Sequence, residues 1–436
     1  MAVSNTFKYK YTLLLLFSAF MGANILAFRA GIQWSLYRFL LIISLFFIVF
    51  EKGVSRTIQK SSGRVYYNFL LFWIIYSILL LVFVEDYIAF FRCFLFLLSA
   101  LVACVVVSCN INDKNKLDNS LRVFEIAALL LSLIGGYEIV TGNYMFVTQE
   151  TNDYYNMNIL LESTLGIRVP ISVFRNPNDF SIFLLFAYFT SYYLTRVKKN
   201  NFDRWFSRVL VLWFFFMVLA TQSRASFAAI LLGTAIILLD RFKELSVAKR
   251  TIIIVVVIAS LSSVVAWLLA NSELYEALIA FDPDDTGGSD YVRMLLIKNG
   301  FKMYGDSFGL GVGLGNIECH MAKMPDETAY IKNIHNWWME LLVSSGPFVF
   351  IYYLHIYIKS LFYHWKKIKN KVIPREDHYL SLTFFIILLT YSFACITSSS
   401  VMSSEWLWVY FALIFVAPTC LKNNENLSRN QPSSSK

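Results

Sequence analysis

The sequence predicts an all-α polytopic membrane protein of about 12 transmembrane helices with a large, partly helical extracytoplasmic loop. Three observations carry that prediction. Of the 436 residues 57% are apolar and 17% aromatic, and only 15% are charged, against about 25% charged in soluble domains. Apolar runs recur from end to end at membrane-crossing length, which is about 20 residues. The basic residues stand in short clusters between those runs, as they do in cytoplasmic loops beside anionic lipid. The formal charge of +9 is thus dispersed through loops, and this argues against a nucleic-acid partner.

Crossings are read near 11–28, 34–50, 69–84, 90–108, 122–140, 177–195, 206–222, 225–239, 251–270, 336–358, 379–397 and 404–419. The chain divides accordingly into helices one to five (1–140), an outer loop (141–176), helices six to nine (177–270), a large extracytoplasmic loop (271–335), helices ten to twelve (336–419) and a cytoplasmic tail (420–436). Charge tests the count. With both termini cytoplasmic, Lys8 and Lys10, the group from Lys52 to Arg64, Lys114, Lys116 and Arg122 all fall inside, as do the clusters around Lys198, Arg241 to Arg250 and Lys366 to Arg375. Removing one crossing would place every later cluster on the wrong side. The first apolar run follows two lysines but precedes no small-x-small cleavage site, so it is expected to be a retained helix.

The cysteines, Cys93, Cys104, Cys109, Cys319, Cys395 and Cys420, show no C-x-x-C spacing. No disulfide framework or zinc site is expected of them.

The outer loop 271–335 is too long to lack structure of its own. Within it Ser289 to Gly300 reads as an amphipathic helix on the outer face, capped near Ser289 or Asp290 and ended by Gly300. Its Arg293, Lys298 and Lys302 do not share one stripe, so only some of them can point at one ligand. "FGLGVGLGN" (308–316) has glycines at a period of two, which fails the spacing of a dinucleotide loop and suits close backbone approach. "DPDDTGGSD" from Asp282 has the acidic density of a calcium loop, but its twelfth position is Arg293 where a bidentate Glu is required. Trp337, Trp338, Trp406 and Trp408 fall near outer helix ends, where an aromatic belt is expected.

In this topology helices six, eight, ten and twelve open outward. Helix six begins with "FRNPNDF" (174–180), where Asn176 is a good N-cap, Pro177 fits the first helical position and Asp179 lies in the first turn. Helix eight begins with "TQSRASF" (221–227), with Ser223 as cap and Arg224 in the first turn. Cations are misplaced there by roughly 0.3 to 1 kcal/mol unless an anion binds, and a diphosphate would satisfy both the helix N–H groups and a guanidinium. The alternative is that both snorkel to lipid headgroups at the interface, which suits Arg175 as well as an anion does and suits Arg224 less. Helix ten begins at "HNWW" (335–338). Taken alone, His335 is either an inert cap or a base for a sugar hydroxyl. Glu340, five residues on, lies off its face and suits an inter-helix hydrogen bond better.

The order of "FRNPNDF", "TQSRASF", Arg293, "FGLGVGLGN" and "HNWWMELLVSSG" (335–346) resembles the O-antigen ligase and Wzy-type polysaccharide polymerase superfamily. The resemblance runs from about 165 to 360, and the first five helices match only as apolar spans. It implies a metal-independent, cofactor-free, inverting glycosyltransferase of the bacterial cytoplasmic membrane. Its donor is an undecaprenyl-diphosphate-linked oligosaccharide, and its site faces the extracytoplasmic side. It also implies His335 as the residue activating the acceptor hydroxyl, with Arg224 and Arg293 on the diphosphate. Arg175, Asn178, Ser223 and Asn336 complete the candidate ligands for diphosphate or glycan. One departure is SRA (223–225) where SRG is common. Polymerisation of repeat units into a capsule, exopolysaccharide, O-antigen or teichuronic-type polymer is the leading expectation, with transfer of finished glycan to a lipid or protein acceptor as the alternative. A flippase and a chain-length regulator are possible partners besides donor, acceptor glycan and membrane lipid. A flippase activity for this chain is disfavoured, since no internal repeat is evident and its charged residues of interest lie at the outer boundary.

Overall fold

The computed structural model describes residues 4–22, 25, 27–30, 32–50, 53–146, 168–197, 200–242, 248, 251, 289–323, 331–398 and 401–430. In chain order it contains α1 (Asn5–Phe20), a hairpin of β1 (Ala27–Ala30) and β2 (Ile32–Ser35), α2 (Leu36–Phe50), α3 (Val54–Lys60) and α4 (Arg64–Leu79). There follow α5 (Tyr87–Asn110), α6 (Lys114–Thr141), α7 (Pro177–Val197), α8 (Asn201–Ala220) and α9 (Arg224–Phe242). The last group is α10 (Ser289–Asp306), α11 (Ile317–Met321), α12 (Trp337–Lys369), α13 (Arg375–Ala394) and α14 (Glu405–Asn430).

Among the described residues eight helices, α4 (extended by a 3-10 turn to Phe83), α5, α6, α7, α9, α12, α13 and α14, are long and apolar enough to cross a membrane, and the protein is a multi-pass helical membrane protein. The expectation of about twelve crossings is met only in part among the described residues. At 15 residues α2 is apolar but short, α1 has 16 residues, and α8 carries Asp203, Arg204 and Arg208 in its first half. The expected span 251–270 and most of "DPDDTGGSD" lie outside the described residues. The first expected span, 11–28, is corrected: its helix stops at Phe20 and the chain turns into an antiparallel hairpin pairing Ala27 with Ser35. A run such as "AFRAGIQWS" is apolar enough to extend a hydropathy window, but its β-branched and aromatic residues also suit a strand.

Helix starts are fixed by local chemistry. Asp86 accepts from Ala89 N at 2.9 Å, Asp113 from Lys116 N at 2.9 Å and Asn176 from Asp179 N at 2.9 Å, each satisfying a first-turn donor. α7 and α14 are enclosed on almost all sides, whereas α9 is the least enclosed of the eight long helices. Two clasps identify the opposite ends of the bundle. At one end Lys114 Nζ reaches Asp118 (2.9 Å) and Glu376 (3.3 Å), joining the starts of α6 and α13. At the other, Arg38 Nε meets Glu405 Oε1 at 3.1 Å and joins the starts of α2 and α14.

The expected tryptophan belt is also corrected. Trp337, Trp406 and Trp408 are buried, and Trp73, Trp337 and Trp408 stack in one cluster with centroids 5.5–6.3 Å apart. Trp338 is half-buried and donates to Ser392 O at 3.0 Å. Their position at helix ends is as expected, but they face the protein. Aromatic edge-to-face packing there supports the start of α12 from beneath.

α12 is broken inside. Gly346 has φ 74° and ψ 178° and precedes Pro347, which has no N–H to give. The backbone N–H groups of Val312 and Gly313 donate instead to the carbonyls of Val343 (2.9 Å) and Ser344 (3.0 Å). The glycine loop 309–315 is thus stitched into the break. A Cβ on Gly311 would stand 2.7 Å from Gly346 N, and one on Gly346 would overlap Leu310 O. Close backbone approach is therefore the reason for glycine here, as its spacing suggested.

Candidate functional site

At the end of the bundle where α5, α7, α9, α12 and α14 begin, five segments converge. Asn176 reads both ways with Asp179: its Oδ1 accepts Asp179 N, and its Nδ2 donates to Asp179 Oδ2 at 3.0 Å. Asp179 Oδ1 also accepts from Ser398 Oγ at 2.7 Å, tying the start of α7 to the α13–α14 connection. Ser181 and Ser226 share a hydrogen bond of 2.6 Å, and Ser223 Oγ lies 3.4 Å from Ser226 Oγ. These hydroxyls hold the threshold of α9 against α7. α9 then begins at Arg224, whose side chain is exposed.

The loop leading into α7 is anchored from behind. Glu138 Oε2 accepts the backbone N–H groups of Ile171 and Ser172, each at 2.8 Å, and Ser172 Oγ donates to Leu131 O at 2.8 Å. Ser172 sits at φ 54°, a conformation that costs an ordinary residue about 1–2 kcal/mol and is held here by those bonds. Arg175, Asn176 and Asn178 follow directly.

His335 stands two residues before the first residue of α12, at φ 49°. Its backbone N–H donates to Asn333 Oδ1 at 2.9 Å, while Asn336 Oδ1 accepts Met339 N at 3.2 Å and caps the helix. The cap is therefore Asn336, which leaves the His335 ring for other work. His335 is half-buried. Burial pushes its imidazole below the ordinary 6.5, Asp179 pulls it up, Arg293 pushes it down and Glu318 pulls it up. A neutral imidazole at pH 7 is the form that can accept a proton.

Arg293 reaches this place because α10 lies across the bundle end. Val292, Leu296 and Met303 form its buried stripe and pack on Val312, Ile317, Met321, Ile334 and Val343. Lys298 and Lys302 point to solvent and Arg293 is half-buried. The expected stop at Gly300 is corrected: α10 runs through it to Asp306. A Cβ there would meet Ile334 Cδ1 at 2.6 Å, so the glycine serves helix-to-loop contact, not termination.

Beside the His335 loop is a pocket of about 90 Å³ lined by Arg92, Cys93, Phe96, Arg175, Glu318, Asn333, Ile334, Glu340 and neighbours. The structure thus gathers His335, Arg293, Asp179 and Glu318 electrostatically, and Arg175 with Asn333 around the pocket. Arg224 belongs to the same end of the bundle through the serine chain. Asn178 contributes its carbonyl to Ser181 Oγ at 2.8 Å. Glu340 accepts Val401 N at 3.1 Å, a bond from α12 to the connection before α14 where a bond between helices was expected.

Sequence reasoning missed Arg92, Glu318 and Asn316. Asn316 is fully buried; its Oδ1 accepts Glu85 N (2.9 Å) and Asp86 N (2.8 Å) while its Nδ2 donates to Leu314 O (3.0 Å) and Asp86 O (3.3 Å). The only hint in the sequence is an amide directly following a glycine run.

Residues 209–354 match the profile of the O-antigen ligase family, a region that includes Arg224, Arg293 and His335 but not Arg175 or Asn178. Over 407 residues the chain is 25% identical to the teichuronic acid biosynthesis protein TuaE of Bacillus subtilis (strain 168), covering 90% of this chain and 80% of that protein. The matched region spans both the α9 threshold and the His335 loop, so the chain is similar to the O-antigen ligase family over the segment that carries Arg224, Arg293 and His335.

Proposed function

We propose that the protein is a glycosyltransferase of cell-surface polysaccharide assembly. It moves glycan from an undecaprenyl-diphosphate carrier to an acceptor hydroxyl at the outer face of the bacterial cytoplasmic membrane. The observation that carries this reading is His335 at the threshold of α12, freed from capping by Asn336 and set among Arg293, Asp179 and Glu318. His335 takes the proton of the acceptor hydroxyl, whose oxygen attacks the anomeric carbon from the face opposite the diphosphate. One glycosidic bond forms, the bond from the anomeric carbon to the diphosphate oxygen breaks, and lipid diphosphate departs with the electron pair. The configuration inverts. Arg224 and Arg293 stabilise the departing charge by charge-assisted hydrogen bonds, with Asn178, Ser223 and Asn336 around them and Arg175 on the glycan.

The orientation rests on charge. Lys366, Lys367 and Lys369 close α12 at the end remote from His335, which the positive-inside rule assigns to the cytoplasm. The exposed position of Arg224 on the least enclosed long helix suits a headgroup arriving from the lipid side.

The family description supports ligase-type transfer to a separate lipid or protein acceptor more directly than the polymerisation that the motifs alone put first. Polymerisation is the second reading, favoured by similarity to a relative named for biosynthesis of teichuronic acid. Reconstituted protein given lipid-linked repeat units alone separates the two. Ligase-type transfer requires an added acceptor before any product forms, whereas a ladder of increasing length from repeat units alone marks a polymerase. No transfer from a lipid-diphosphate donor under either condition contradicts both.

A further inference from the structure

The geometry points to the pocket beside the His335 loop as a binding subsite for a sugar ring of the acceptor glycan, held by Arg92, Arg175, Glu318 and Glu340. This deepens the transferase reading and rests on it for the word acceptor.

Among the described residues, two guanidinium groups and two carboxylates line this cavity, together with Asn333 and an apolar wall that includes Phe96. That balance selects a ligand class. A diphosphate entering it meets Glu318 and Glu340, and an ammonium group meets Arg92 and Arg175, so each is opposed by half the lining. A neutral polyol is opposed by neither. Each hydroxyl of a sugar both donates and accepts, so neighbouring hydroxyls can donate to a carboxylate and accept from a guanidinium. The C–H face of the ring matches the apolar wall. The volume of about 90 Å³ is well above the roughly 10–15 Å³ that admits one water, which is room for the hydroxyl edge of one sugar.

Position assigns this sugar to the acceptor. Asn333 lines the pocket, and its Oδ1 holds the backbone N–H of His335 at 2.9 Å. Glu318 also lines the pocket, and its charge acts on the His335 ring. A ring bound there presents a hydroxyl toward the base, while Arg224 and Arg293, outside the lining, are left for the diphosphate. Arg92 and Glu318 are both exposed, so their substitution does not disturb the core.

The test is ligand-observed saturation-transfer NMR on the full chain in lipid nanodiscs. Its probes are an unlinked neutral hexose, an N-acetylhexosamine, a hexuronate and, as competitor, inorganic diphosphate. At least one sugar should give a signal that falls fivefold or more in Glu318→Gln and in Arg92→Gln, with melting midpoints unchanged and no displacement by diphosphate. Silence of all three sugars, equal signals in both variants, or displacement by diphosphate overturns the subsite. In turnover, Glu318→Gln should raise the acceptor KM at least fivefold at an unchanged donor KM. Because the binding arm needs no catalysis, sugar binding without transfer counts against the transferase reading and leaves the pocket assignment standing.

Discussion

Val312 donates its backbone N–H to the carbonyl of Val343, 2.9 Å away, the carbonyl that Pro347 leaves without a helical donor. This bond and its neighbour from Gly313 to Ser344 join the outer loop to α12 two turns below His335. The break in the helix is thereby filled by backbone from a distant part of the chain, so the loop and the base loop move as one.

Gly311→Ala tests that joint. Its φ of 106° disfavours a Cβ, which would also stand 2.7 Å from Gly346 N. The combined strain and clash should cost at least about 2 kcal/mol and lower the melting midpoint of the detergent-solubilised protein. Gly305→Ala on α10, where a Cβ meets nothing within 4 Å, should stay within about 1 kcal/mol of the parent. Equal midpoints for the two variants would remove the stitched-loop account.

Asn316→Ala should be more damaging than its small volume change suggests. It strips acceptors from the N–H groups of Glu85 and Asp86, which lie 231 and 230 residues away in sequence. A fully buried donor left unmatched costs about 1–3 kcal/mol, and these two part-buried donors should lose less each. Limited proteolysis in the 80–90 segment should accelerate, and Asn316→Asp, which keeps the acceptor oxygens, should recover part of the protection.

The pH profile of transfer carries a sign test for His335. Acting as a base, it must be neutral, so the rate falls as pH drops through its pKa, which burial holds below 6.5. Asp179 raises that pKa and Arg293 lowers it. Asp179→Asn should therefore move the acid limb to lower pH, and Arg293→Gln should move it to higher pH, whatever each does to the maximal rate. Shifts in the same direction, or none, would detach the limb from this imidazole.

Glu138→Ala probes the far side of the site. Two backbone donors, at Ile171 and Ser172, lose their shared carboxylate, and the loop carrying Arg175 is released. Acceptor KM should rise several-fold more than donor KM, because Arg175 lines the sugar pocket, and a larger rise in donor KM would contradict that assignment. Melting of the bundle should fall by no more than a few kcal/mol equivalent.

What was legible in the sequence follows from which forces are local. Asn176 and Pro177 announce the start of α7 within four residues, and period-two glycines announce close backbone approach. Charge clusters between apolar runs mark a multi-pass protein. Motif order put His335 and Arg293 on one face, and the structure sets them close enough for the Arg293 charge to act on the His335 ring. Trp337 and Trp408 were misread because an aromatic at a helix end looks the same whether it faces lipid or a neighbouring helix. Gly300 was misread because a missing side chain serves a helix stop and a tight contact equally, and only Ile334, 34 residues on, decides between them. Arg92 and Glu318 carried no signal at all, since a pocket formed by α5 and α11 exists only after the bundle has closed.

The most direct test of the central claim is single-turnover transfer by His335→Ala from a defined undecaprenyl-diphosphate oligosaccharide, with donor binding measured on the same preparation. The account predicts a loss of at least about 100-fold in the transfer rate, the scale of general-base catalysis, at a donor Kd within about threefold of the parent. Transfer at the parental rate would contradict it.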